Sequence, residues 1–315
     1  MKTWLKTTLI TGVLCCAVGA VLTAAGMLTG GKQYVQAADI NTLRGDARKT
    51  DSDSLAVLNK QKISGVQALD LALDNLDLKI VPSADDSCYL SYRIAATGGE
   101  APLTYTVQDG TLHLKENDAV QPQVHIDVDF LTDFLTLGRL PEDDDNAQTV
   151  ILSVPKSQLK QLRIHVSYGD ISMRGISAAR GSIRCENGDI SLKNCQLSQF
   201  TLNNDYGDID LERCTLDTAD ISLYNGEFDA QETAFSGENS ITSSYGDISV
   251  SDTLANLQAL TIQASTAYGE ISVPDGLRAQ IRQTTDDELT DYCHSGTGGS
   301  LRVQADDGDI ELSDD

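Results

Sequence analysis

The chain has 315 residues, 47 of them acidic and 23 basic, for a net charge of −24. So acidic a chain repels nucleic acid and anionic lipid headgroups, and suits solubility outside a cell, bound cations or a cationic partner. Aromatic residues make up 5% of it and Trp4 is its one tryptophan, so no carbohydrate-stacking platform stands out.

The first element is apolar. Residues 8–29 (TLITGVLCCAVGAVLTAAGMLT) carry no charge. As a helix they would span about 33 Å, enough for the ~30 Å hydrocarbon core of a bilayer. Lys2 and Lys6 precede the run, which predicts a cytoplasmic stub and single-pass signal anchor over 1–31, with the remainder of the chain extracytoplasmic. The alternative is a secretory leader cut after Ala37 or Ala38 in VQAAD. Cys15 and Cys16 follow Val13 and Leu14 rather than the small residues of a lipoprotein site, and read as apolar helix residues. Residues 32–62 read as a polar juxtamembrane linker. The Arg44-Gly45-Asp46 triplet within it matches an integrin-recognition tripeptide, at a length common by chance.

Residues 63–149 read as an N-terminal β module. Leu69, Leu71 and Leu73, then Leu76, Leu78 and Ile80, alternate with polar residues on either side of the turn pair Asp74-Asn75. CYLSYRI (88–94) is a further strand, and LTYTVQDGTLHLKEN (103–117) a hairpin around Asp109-Gly110. The module is expected to be antiparallel and to cap the C-terminal half of the chain. PEDDDNAQ (141–148) is an acidic loop, either solvated or cation-binding. VILSVP is a strand ended by Pro155.

Residues 150–315 are organised by one recurring phrase. It reads YGDISM, NGDISL, YGDIDL, NGEFDA, YGDISV, YGEISV and DGDIEL, on Gly169, Gly188, Gly207, Gly226, Gly246, Gly269 and Gly308. The spacings are 19, 19, 19, 20, 23 and 39 residues, and the last interval suggests a decayed copy near 287–290. Two and four residues after each glycine the chain is apolar, as in Ile190 and Leu192 or Ile209 and Leu211, with polar residues between. That is the period of a strand with one buried face. A strand before and a strand after each glycine, repeated about every 20 residues, predicts an all-β, solenoid-like stack of mostly parallel strands. The alternative is an antiparallel sandwich with the Gly-acid pairs at hairpin turns.

Stacking would align the acids after the glycines, Asp170, Asp189, Asp208, Glu227, Asp247, Glu270 and Asp309, into a carboxylate ladder with ~4.8 Å steps. Asp210, Asp229 and Glu311 come two residues later. Unit charges at that spacing repel by ~0.9 kcal/mol even in water. Two readings offset this: calcium held by Asp170, Asp189, Asp208, Asp210, Glu227, Asp247, Glu270 and Asp309, or carboxylates accepting backbone N–H groups at their own turns. Tyr168, Tyr206, Tyr245 and Tyr268 precede four of the glycines, as a binding stripe or as packing edges of the turns. Cys195 and Cys214 fall in one column with Ile176, Thr233 and Thr253 and are expected to be stacked, reduced thiols, since parallel Cβ vectors do not suit a disulfide. Without a Cys-x-x-Cys motif, zinc and thiol redox chemistry have no support. His113, His125, His165 and His294 are scattered, and no nucleophile-elbow, P-loop or metalloprotease motif occurs. The expected class is therefore non-enzymatic, with no required cofactor. A carbohydrate-active enzyme using acids on neighbouring rungs is the outlying alternative.

The leader, VILSVPK and LKQLRI before the first repeat, and the serial GDIS phrases ending in DDGDIELS resemble a bacterial "putative adhesin" family of β-strand-repeat proteins. That family is a domain of unknown function common on Gram-positive surfaces, and the resemblance covers about residues 63–315. It implies an extracytoplasmic β-repeat domain with no assigned catalysis. The expected role is a cell-surface binding module meeting a cell-wall or surface ligand. Family members near envelope-stress systems imply a second role, a regulatory protein meeting cationic peptides or a membrane partner. No nucleic-acid partner is expected.

Overall fold

The computed structural model describes residues 54–85, 87–96, 101–118, 120, 148–280, 283–285 and 288–314. The predicted anchor over 8–29, the alternative cleavage site and nearly all of the acidic loop lie outside these residues. Among the described residues no helix is long and apolar enough to cross a membrane. Part of the expected linker is structured, because Ser54–Ile63 is a strand paired antiparallel with Cys88–Ala96.

One repeat shows how the sequence makes the fold. Gln196–Tyr206 runs up to the corner Gly207-Asp208, and Ile209–Glu212 leaves it. Leu197, Phe200 and Leu202 are buried from the first strand, Ile209 and Leu211 from the second. The two strands belong to different sheets, one of 14 and one of 11 strands among the described residues, so the Gly-acid pair is a corner between sheets and the hairpin alternative fails. Neighbouring repeats pair in parallel and in register: Leu202 lies beside Ile183 and Ile221, and Ile209 beside Ile190 and Phe228. Each such aliphatic side chain contributes at most about 1.5–3 kcal/mol by leaving water. The matched columns of the sequence are thus the core, seen one rung at a time.

The central rungs bend at three places. At Gly207 φ is +130°, and a Cβ there would lie 2.3 Å from the Gly188 carbonyl oxygen of the rung below, so the corner admits only glycine. A second bend carries Asn194, Arg213 and Glu232 at φ of 53°, 51° and 47°. A third carries Gln199 and Thr218 at 47° and 61°, then Gly237 at 68°. Between these bends, Ser177–Ala178, the start of Gln196–Tyr206, the start of Thr215–Asn225 and Ala234–Ser236 stack as a short third ladder.

The order of rungs departs from the order of the chain at both ends. Ala68–Leu73 and Asp77–Pro82 are a full parallel rung, paired with Gln161–Tyr168 and Ile171–Arg174, rather than antiparallel strands. Outside them lie Thr111–Glu116 and Thr149–Val154, also parallel. The antiparallel cap exists one step further out, in Leu103–Gln108, Cys88–Ala96 and Ser54–Ile63. At the other end, Ser300–Asp307 is inserted between Glu238–Tyr245 and Thr261–Tyr268, and Ile310–Asp314 between Ile248–Asp252 and Ile271–Ser272. Among its described residues the long last interval therefore holds no decayed rung. It holds a 3-10 turn at Asp275–Gln280 and the strand Glu288–His294, which pairs antiparallel with Thr261–Tyr268 on one side and with Gln283–Thr285 on the other.

Candidate binding surface

The stacked corners form one acidic edge. Oδ1 of each corner aspartate accepts the backbone N–H of the corner acid on the next rung. Asp77 accepts from Asp170 at 2.9 Å, Asp170 from Asp189 at 2.9 Å, Asp189 from Asp208 at 2.9 Å and Asp208 from Glu227 at 2.8 Å. A second run continues from Asp247 to Asp309 and from Asp309 to Glu270, both at 2.8 Å. The carboxylates thus extend the sheet's hydrogen-bond ladder around the corner, between rungs rather than within each turn. Glutamate stands where a run ends, at Glu227 and at Glu270 on the outer rung. All of these corner acids are exposed except Asp77, which is half-buried.

Repulsion along this edge leaves a mark on Asp210, whose register partner on the next rung is Asp229. Burial, then the charges of Asp229, Asp208 and Asp189, holds its carboxyl above the usual value of 3.8. Among the described residues, no three His, Cys, Asp or Glu side chains converge as a group able to hold a metal ion. The ladder is a single file, with one oxygen of most of its aspartates already engaged.

The tyrosines stand out from the same edge. Tyr168, Tyr206, Tyr245 and Tyr268 are 60%, 51%, 50% and 78% exposed. In spatial order they alternate with Asn187, Asn225 and Asp307, so a ring rises from every second rung. Tyr224, absent from the predicted stripe, fills one gap. It meets Tyr206 and Tyr245 edge to face, with ring centroids 5.8 and 5.6 Å apart. It sits one residue before the tyrosine column, so an alignment on the glycines passes over it. The Tyr-Asn-Gly at 224–226, beside Asp-Tyr-Gly at 205–207, was the available signal.

A groove of about 550 Å³ lies at the far end of the same strands, by the third bend. Hydroxyl and carboxamide side chains line it, together with Asp220, Glu238 and Arg302. The other expected chemistry stays dispersed. Cys195 and Cys214 are buried neighbours and, like Cys88 and Cys185, free thiols. Burial pushes the thiols of Cys88 and Cys185 up to about 11 and about 12, which keeps them protonated and unreactive. His113 meets Asp70 at 3.0 Å, His165 meets Glu186 at 3.1 Å, and His294 meets the Gln258 carbonyl oxygen at 2.9 Å, on separate strands. His125 lies outside the described residues.

The sequence model of one family, described as Toastrack DUF4097, matches residues 66–313. No curated protein matches the chain. Among solved structures, a "putative cell adhesion protein" of Clostridium sporogenes is 11% identical, over 84% of this chain and 100% of that one, with a TM-score of 0.33. A "putative adhesin" of Bacteroides fragilis is 10% identical over 84% and 98%, with a TM-score of 0.39. A "putative lipid binding protein" of Parabacteroides distasonis is 16% identical over 83% and 97%, with a TM-score of 0.35.

Proposed function

The chain belongs to the Toastrack DUF4097 family, and from that premise we propose that it is a non-enzymatic cell-surface binding module, adhesin-like, that engages its ligand along the corner edge. The observation that carries this reading is the exposed ring cluster of Tyr206, Tyr224 and Tyr245 on an edge of corner carboxylates. Half-exposed rings offer large, rigid contact area, and their faces attract cations. Carboxylates in file strengthen that preference, so the ligand groups that fit are ammonium or guanidinium. In this proposal the apolar run over 8–29 anchors the chain, and the β-repeat unit works outside the membrane.

The test uses the compact unit over residues 54–315, labelled and mixed with intact cells and isolated walls of the source organism, with calcium and with a chelator. Saturable binding that is lost when the three tyrosines become alanine supports the reading. Absence of saturable binding to cells and walls in both conditions overturns it. Dependence on calcium would add a metal to the acid ladder, and indifference to the chelator would remove it. The same cation-selective chemistry favours a second reading, an envelope regulatory protein that meets cationic peptides. Binding of such peptides that falls steeply with salt, without binding to walls, would select it.

A further inference from the structure

We infer that the groove beside the third bend is a second binding site, and that its ligand is a single strand of neutral or amino-sugar glycan. It spans five rungs, with Thr201, Asp220, Ser240, Arg302 and Gln263 following one another in register along it. Five rungs cover about 19 Å between the outermost strands, a length that an extended chain of several units would fill.

The chemistry of the walls selects among extended chains. The strands that line the groove are interior to the sheet, with pairing partners on both sides, so they offer no free backbone edge to a peptide. What they offer instead is threonine, serine, asparagine and glutamine. Hydroxyl and carboxamide groups each donate and accept, as sugar hydroxyls do. Phe200, Ala219 and Leu301, all buried, form the backing of the groove. Asp220 and Glu238 against one Arg302 leave the groove mildly acidic, which disfavours uronate, sulfate and phosphate groups. Among the described residues no carboxylate forms an ion pair with Arg302, whereas Arg184 pairs with Asp205 and Arg213 with Glu212. Its five N–H donors are therefore open to ligand oxygens.

The groove is also held in shape. Buried Asn239 accepts the Ala219 N–H at 3.0 Å and donates to the carbonyl oxygens of Ser236 at 2.8 Å and Ser300 at 3.3 Å. It ties three rungs together where the repeat lengthens from 19 to 20 residues at Gly237. A preformed wall of this kind reduces the ordering cost of binding. The site is about 20 Å along the strand from the tyrosine edge, judged by the six residues from Phe200 to Tyr206. It stands or falls independently of the edge.

The test is a glycan array probed with the full-length chain in detergent, followed by calorimetry on any glycan retained. The array carries neutral, N-acetylated, amino-sugar, uronate and sulfated oligosaccharides. We expect binding to at least one neutral, N-acetylated or amino-sugar oligosaccharide. Arg302→Ala and Gln263→Ala, both at exposed positions, should each weaken it at least 10-fold with the thermal unfolding midpoint unchanged. Ser240→Trp should block it by filling the groove, while alanine at Tyr206, Tyr224 and Tyr245 should leave it intact. The proposal is overturned by an array without retained neutral or amino-sugar glycans, by selective retention of uronate or sulfated ones, or by binding that survives both Arg302→Ala and Gln263→Ala.

Discussion

At Gly207 the chain holds a φ of +130° with a neighbouring carbonyl oxygen 2.3 Å from where a Cβ would sit. Gly207→Ala must therefore strain its own backbone and push one rung from the next, at a cost of at least about 2 kcal/mol, readable by chemical denaturation. The corner acids permit a finer comparison. Asp189→Ala removes the acceptor of the Asp208 N–H and should cost about 1 kcal/mol. Asp189→Asn keeps an acceptor and relieves repulsion, so it should be near neutral. Asp210 gives the opposite sign. Its carboxyl titrates higher in the folded chain than in the unfolded one, so folding favours its protonated form. Stability should rise as pH falls through the folded value toward 3.8, and the penalty is complete above that window. Asp210→Asn should remove it, raising stability slightly at neutral pH and low salt and less as salt screens the neighbouring charges. The measurement is unfolding followed from pH 7 to pH 4 in both proteins.

At the scale of elements, the column pattern was open to reading because it is local: glycine at the bend, alternation on either side. The buried positions Leu69 to Ile80 were equally legible, by the same alternation. What the pattern does not encode is which rung lies next to which. Parallel register makes every rung a fitting neighbour for every other, so the insertion of Ser300–Asp314 between two earlier rungs leaves no trace but an odd interval. The third bend was hidden for a different reason. Gln199 and Thr218 adopt positive φ without glycine, inside stretches that alternate like unbroken strands. Of the binding edge, the acid ladder and four of five tyrosines could be read from spacing, but the exposure of the rings and the groove depend on tertiary placement. The inserted rung also yields a prediction. A chain ending at residue 295 loses a partner from four strands at once and should unfold without a cooperative transition, as seen by circular dichroism on heating.

For the molecule as a whole, the net charge of −24 opposes compaction and rewards screening. The unfolding midpoint should climb as salt is raised from 10 to several hundred mM, while affinity for a cationic ligand at the corner edge falls over the same range. The insertion of the last rung has a consequence of another kind. A tension transmitted through Asp314 acts along a strand paired over its length with Ile248–Asp252 and flanked at its start by Ile271–Ser272, so its hydrogen bonds are loaded together in shear. Had the rungs followed chain order, the same pull would peel a border strand bond by bond and unravel the stack from its end. The fold thus locks its own thread, and under drag it should yield abruptly at high force rather than gradually at low force.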